Sequence, residues 1–69
     1  MLTNREKEVL KYICMGYTNE EISKALIISS HTTKAHVKAI LKKFNLKNRT
    51  IAAYFAGKNH LVNLDSNIK

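Results

Sequence analysis

Apolar residues recur along this chain at intervals of three and four rather than two, and a residue able to cap a helix precedes each apolar stretch. The pattern predicts four helices. Thr3 opens the first, with Glu6 three residues on, the two halves of a capping box. Val9, Leu10, Ile13 and Tyr17 make its inner edge. Gly16 ends it, because glycine takes a left-handed C-cap without a Cβ penalty. Thr18 and Glu21 repeat the box for a short second helix over 19–26, with Ile22, Ala25 and Leu26 inward. Ile27 and Ile28 form a connection too apolar for a free loop and are expected in the core. Ser29 caps a third helix over 30–44. At about 100° per residue, Thr33, Val37, Ile40, Leu41 and Phe44 share one arc, and His31, Lys34, Ala35, Lys38 and Lys42 share another on the far side. Asn48 caps a fourth helix over 49–58, with Ile51, Ala52, Phe55 and Ala56 inward. Leu61, Val62 and Leu64 make an apolar tail that folds back. The expected domain is 1–62, followed by a polar, frayed C-terminal tail over 63–69.

Sixty-nine residues make one domain. The expected fold is all-α, a compact four-helix bundle. A chain this short buries only about 60% of its unfolded surface. Cys14 is alone, so no disulfide helps, and no Cys/His cluster has zinc-ligand spacing. Helix packing and self-association remain as stabilisers. One cysteine and no signal peptide point to the cytoplasm. No apolar run approaches the roughly 20 residues of a membrane span. No nucleophile stands with a base, so no catalytic residue, metal, cofactor or small-molecule ligand is expected. Cys14 and His36 fall on different helices with no third orienting group. Cys14 reads as a small, partly buried hydrophobe; as a reactive thiol its pKa would be lowered slightly by Lys11, one turn away.

Charge changes the picture. Twelve Lys and Arg stand against five Asp and Glu, a net +7. Between Glu21 and Asp65 there is no acid, while Lys24, Lys34, Lys38, Lys42, Lys43, Lys47, Arg49 and Lys58 are all cationic. A short helix, a tight connection and a longer basic helix make a helix-turn-helix pattern, whose second helix enters the major groove of double-stranded DNA. A helix about 10–12 Å across fits a groove about 12 Å wide. The start of the third helix offers N–H groups for a phosphate, joined by the hydroxyls of Ser30, Thr32 and Thr33. Lys34 and Lys38 suit acceptor edges such as guanine O6 and N7, and Ala35 suits a thymine methyl. His31 and Lys42 suit phosphates. Lys43 sits off the reading arc, where a phosphate contact and a solvated position fit equally. His36, on the flank, suits a structural or phosphate hydrogen bond, and His60 reads as plain surface. Arg5 and Glu8 read as a surface pair. Phe55 suits the core, and Tyr54, beside Ala53 and Gly57, suits an exposed association surface. The competing function is a helical protein-interaction module whose basic face docks an acidic partner. Membrane-surface binding is disfavoured, since the core claims the apolar face of the basic helix.

An ordered set of residues resembles a known family. Leu2-Thr3, Arg5-Glu6 and Glu8-Val9-Leu10 open it. Gly16, Asn19, Glu21-Ile22, Leu26, Ile28-Ser29, Thr32, Lys34, His36-Val37, Ile40-Leu41 and Lys43 continue it, and Asn48-Arg49-Thr50 with Ala52-Ala53 completes it. The chain is similar to the LuxR/GerE-type helix-turn-helix domains, the DNA-binding output modules of NarL/FixJ-like response regulators, from Leu2 to about Val62. The resemblance implies helices 2 and 3 as the helix-turn-helix, helix 3 as reader and helix 4 as the surface of a homodimer on DNA. That surface takes in Thr50, Ala53, Tyr54 and Gly57. The resemblance places Lys34, Ala35 and Lys38 at bases, and Thr32, His36, Lys47 and Arg49 at or beside the backbone. It implies transcription regulation. RNA polymerase is a candidate further partner, as an acidic protein that the basic face could dock. A receiver domain ahead of the chain would mean control by phosphorylation; a free-standing domain would need control by abundance. Two positions depart from the family. Thr33 stands where Val is usual, and its hydroxyl is expected on the Ser29 carbonyl. Ile27 stands where many members have Gly, and its β-branch predicts negative φ.

Overall fold

Both ends of each helix are closed by residues next to it in sequence. The computed structural model describes residues 1–62, with α1 at Asn4–Cys14, α2 at Asn19–Leu26, α3 at Ser30–Lys43 and α4 at Arg49–Lys58. No strand occurs among the described residues. Leu64 and the expected tail over 63–69 lie outside them. Thr3 and Glu6 form the first capping box, Thr18 and Glu21 the second, and in each the hydroxyl accepts from the Glu N–H while the carboxylate accepts from the Thr N–H. The Ser29 hydroxyl accepts from the Thr32 N–H at 3.0 Å, and the Asn48 side chain accepts from the Ile51 N–H at 2.9 Å. At the other ends, Gly16, Ile27, Asn45 and His60 all have positive φ. After each, an N–H reaches five residues back, from Tyr17 to Tyr12, Ile28 to Ser23, Leu46 to Leu41 and Leu61 to Ala56, at 2.9–3.0 Å.

The core is Val9, Leu10 and Ile13 of α1, Ile22 of α2, Val37 and Ile40 of α3, and Ala52 and Ala56 of α4. Around it pack Tyr17, Leu26, Leu41, Phe44, Leu61 and Val62. The rings of Phe44 and Phe55 lie 5.1 Å apart, joining α3 to the half-buried face of α4. α4 lies mainly along α1, where its alanines allow close approach.

Three inward expectations fail. Ala25 is exposed and Ser23 is buried in its stead. Asn19, Ile22, Ser23 and Leu26 form the inner stripe of α2, a strict i, i+3, i+4, i+7 set, so geometry outweighs hydrophobicity there. In α4 the same template selects Arg49, Ala52, Ala53 and Ala56, which leaves Ile51 40% exposed. Ile27 is 90% exposed rather than in the core, and Ile28 is half-buried. Ile27 also has φ 56° and ψ 52°, not negative φ. The turn keeps the left-handed form of a glycine turn, and the β-branched side chain is turned out to solvent.

Candidate nucleic-acid interface

α3 divides as its sequence divides. Thr33, Val37 and Ile40 are buried, while Ser30, His31, Lys34, Ala35, Lys38 and Lys42 are exposed. Thr32 and His36 are half-buried on the flanks. The residues picked for bases, Lys34, Ala35 and Lys38, therefore share one open face, with no acid on the same helix. At the helix start, Ser29 takes the Thr32 N–H and donates its own proton to Thr32 Oγ1 at 2.9 Å. The N–H groups of Ser30 and His31, in the first turn, have no intrahelical acceptor and remain for an anion.

Thr33 does not join that anion site. It is fully buried, and its hydroxyl lies within hydrogen-bonding distance of the Ser29 carbonyl, 3.2 Å, as its departure from the family pattern predicts. A second partner was not foreseen: Ser23 Oγ, 2.7 Å away on α2. The reading of Thr33 as a phosphate ligand is therefore corrected, because one side chain cannot face both core and groove.

Two cations work inside the fold. Lys43 Nζ donates to Glu6 Oε1 at 2.6 Å and to the Met1 carbonyl at 2.7 Å, so it fastens the end of α3 to the start of α1 while its side chain stays partly solvated. The hydrogen bond from Lys43, then that from the Thr3 N–H, holds the Glu6 carboxyl below its ordinary range, against the opposing effect of burial. Arg49 donates to the Asn19 side-chain oxygen and, at 2.7 Å, to the Tyr17 carbonyl. It ties α4 to the turn between α1 and α2 and is itself only partly buried. Lys47, in the preceding loop, is exposed.

Arg5 and Glu8 pair at 3.5 Å on the surface of α1. Cys14 is half-buried, as expected of a small hydrophobe, with its thiol 3.8 Å from the Ala53 carbonyl, and burial raises its pKa, against the reactive-thiol alternative. On α4, Thr50, Tyr54 and Gly57 are exposed and Ala53 is half-buried, with Lys58 Nζ 5.9 Å above the Tyr54 ring. His60 is exposed. Sequence reasoning missed the burial of Ser23 and Glu6. The first was legible in the i, i+3, i+4, i+7 stripe of α2. The second was legible in position 6 lying three and four residues before Val9 and Leu10.

Four capped helices, with an exposed cationic helix following a short one across a left-handed turn, define a helix-turn-helix domain of the DNA-binding class. The family model described as bacterial regulatory proteins, luxR family (GerE), matches residues 1–56. The chain belongs to that family, and it is a domain of transcription regulators, not an enzyme. It is 48% identical over 62 residues to the transcriptional regulatory protein LiaR of Bacillus subtilis strain 168, covering 90% of this chain and 29% of LiaR. Among solved structures it is similar to the response regulator ChrA of a heme-sensing two-component system, with TM-score 0.85 and 34% identity over 90% of this chain and 31% of that one. It is also similar to the transcription factor GerE, with TM-score 0.82 and 28% identity over 93% of this chain and 96% of that one. The chain thus spans less than a third of LiaR and ChrA and nearly all of GerE. No helix among the described residues is long and apolar enough to cross a membrane.

Proposed function

We propose that this chain reads sequence in double-stranded DNA through α3, as the output domain of a two-component response regulator or as a free-standing GerE-like regulator. It acts in the cytoplasm, as a homodimer on a pseudo-palindromic site with half-site centres about one helical turn, 10–10.5 bp, apart. Lys34, Ala35 and Lys38 meet the bases. Ser30, His31, Thr32, His36, Lys42, Lys47 and the free donors of Arg49 meet the phosphates. Thr50, Ala53, Tyr54 and Gly57 carry the pairing surface, and RNA polymerase is a further partner on DNA. One observation carries the reading: Lys34, Ala35 and Lys38 are all exposed on the helix whose other face, Thr33, Val37 and Ile40, is buried. Burial of the opposite face leaves this one open, which supports it as the face that meets a groove.

The test is a backbone-amide NMR titration with a short duplex at low and moderate salt. Shifts should concentrate on α3 and weaken with salt. With about four phosphates neutralised per subunit, log affinity of the dimer should fall with log salt at a slope of about −7. Lys38→Ala should relax preference at one base position by about 1–3 kcal/mol, whereas equal loss on all sequences would make Lys38 a phosphate ligand. A spectrum that stays silent at low salt would discard DNA reading and leave the basic face to an acidic protein.

A further inference from the structure

Two hydroxyls meet inside the helix-turn-helix. Ser23 Oγ on α2 lies 2.7 Å from Thr33 Oγ1 on α3, and both residues are buried. Each also has an acceptor in or beside its own helix, four residues back. The Asn19 carbonyl lies 2.7 Å from Ser23 Oγ, and the Ser29 carbonyl lies 3.2 Å from Thr33 Oγ1. Neither hydroxyl therefore needs the other to escape burial without a partner. Two hydroxyl oxygens at 2.7 Å would repel through their lone pairs unless a proton lay between them, so one proton bridges the helices. Two hydroxyls carry two protons, so the bridge replaces one local bond: Ser23 donates to Asn19 at 2.7 Å, and Thr33 donates to Ser23 in place of the Ser29 carbonyl, its more distant acceptor. What the bridge gives is direction: apolar packing tolerates sliding and rolling, and a short hydrogen bond does not.

The connection continues beyond α2. Asn19, whose carbonyl accepts from Ser23, also accepts at its side-chain oxygen from Arg49, the first residue of α4. A hydrogen-bonded path thus runs from Arg49 through Asn19 and Ser23 to Thr33. Thr33 directly precedes Lys34, and Lys38 lies just over one turn further on, so a roll of α3 about its axis at Thr33 displaces both lysine heads.

We propose that Thr33 and Ser23 are positioning residues for base reading. Their hydroxyl bridge sets the angle at which α3 presents Lys34 and Lys38, and Asn19 with Arg49 ties that angle to the helix proposed for pairing. This rests on the reading of DNA by α3 argued above. Neither residue touches a base.

The experiment compares the parent chain with Thr33→Val, Ser23→Ala and the double variant. Both single variants should fold, because each remaining hydroxyl keeps its carbonyl four residues back. Two readouts are needed. One is the affinity ratio between a duplex selected by the parent from a random pool and a shuffled duplex of equal composition. The other is the set of amide residual dipolar couplings of the free protein, which report the angle between α2 and α3 without DNA. Each single variant should lower the ratio roughly three- to tenfold, as expected for one hydrogen bond, with affinity for the shuffled duplex and its salt slope unchanged. The couplings of α3 should shift relative to α2. The double variant should have a ratio no worse than either single one, because the interhelical bridge is lost in all three. Thr33→Ser, which keeps the hydroxyl, should restore the parent ratio. A melting temperature that falls while ratio and couplings hold would make the bridge a stabilising contact only and overturn the inference, with DNA reading intact. A parent chain that fails to distinguish the two duplexes would overturn the reading itself, and the couplings would then decide whether the bridge sets the helix angle.

Discussion

Replacing Ile27 with glycine should stabilise this domain even though it removes the whole side chain. Ile27 closes α2 at φ 56° and ψ 52°, the left-handed region. That conformation costs an L-residue about 1–2 kcal/mol, and a β-branched residue belongs at the upper end. The compensating loss is small, because the side chain is 90% exposed. Full burial of an isoleucine contributes about 1.5–3 kcal/mol, so a tenth of it is roughly 0.2 kcal/mol. Glycine adds freedom to the unfolded chain, which offsets about 0.5–1 kcal/mol. The net gain is about 1 kcal/mol, a rise of about 4–8 °C in melting temperature for a domain of this size. Circular dichroism melts and urea titrations at one protein concentration would measure it. Ile27→Asn, which enters the left-handed region readily without glycine's freedom, should rise at least as far. Melting temperatures at or below the parent's for both variants would refute the strain, and would mean that the exposed side chain is held by a favourable interaction.

Glu6→Gln should weaken the domain at neutral pH by about 1–2 kcal/mol, since the charged acceptor of Lys43 is lost but its end of the pair is partly solvated. The folded pKa of Glu6 lies below its ordinary 4.5, so its contribution is full above that value and disappears as pH falls through the folded value. The parent's stability should therefore drop below pH 4.5 more steeply than the variant's; parallel acid limbs in urea titrations would contradict the Glu6–Lys43 pairing. Val37→Asp should abolish folding by burying an unpaired charge, and a variant with native helical content would remove Val37 from the core. Gly57→Ala has open space for its Cβ and no positive φ, so it should raise monomer stability by about 0.5–1 kcal/mol. If α4 pairs closely, the same change should weaken self-association in sedimentation experiments; unchanged association would move the pairing surface elsewhere.

Helix boundaries were legible in the sequence because each is set by residues within a few positions of it. Thr3, Thr18, Ser29 and Asn48 cap where their spacing to Glu6, Glu21, Thr32 and Ile51 says they should. The cationic face of α3 was legible for the same reason, since one helix contains it. The inner faces of α2 and α4 are legible in the i, i+3, i+4, i+7 spacing but not in hydrophobicity. Ala25 and Ile51 are apolar yet exposed, whereas Ser23 is buried on the inner stripe of α2, with the Asn19 carbonyl as its acceptor. The inner face of α4 is built of alanines because α1 lies so close. The tasks of Lys43 and Arg49 were hidden too: a cation reads alike in sequence whether it meets a phosphate, a carboxylate or a carbonyl. Ile27 shows the opposite failure. The steric rule against left-handed β-branched residues is sound, but the closure of α2 by the Ile28 N–H on Ser23 overrides it.

The closure of every helix by its sequence neighbours also bears on how fast the chain folds. Boundaries written in windows of four to six residues let each helix nucleate without waiting for the others, and low contact order of this kind goes with folding in microseconds to milliseconds. The exception is the docking of α4 on α1, which must close the longest loop in the domain. α4 should therefore be the last helix to settle and the first to detach. As the helix proposed for pairing, it would gain most from a second copy, so assembly on DNA would complete the slowest step of folding.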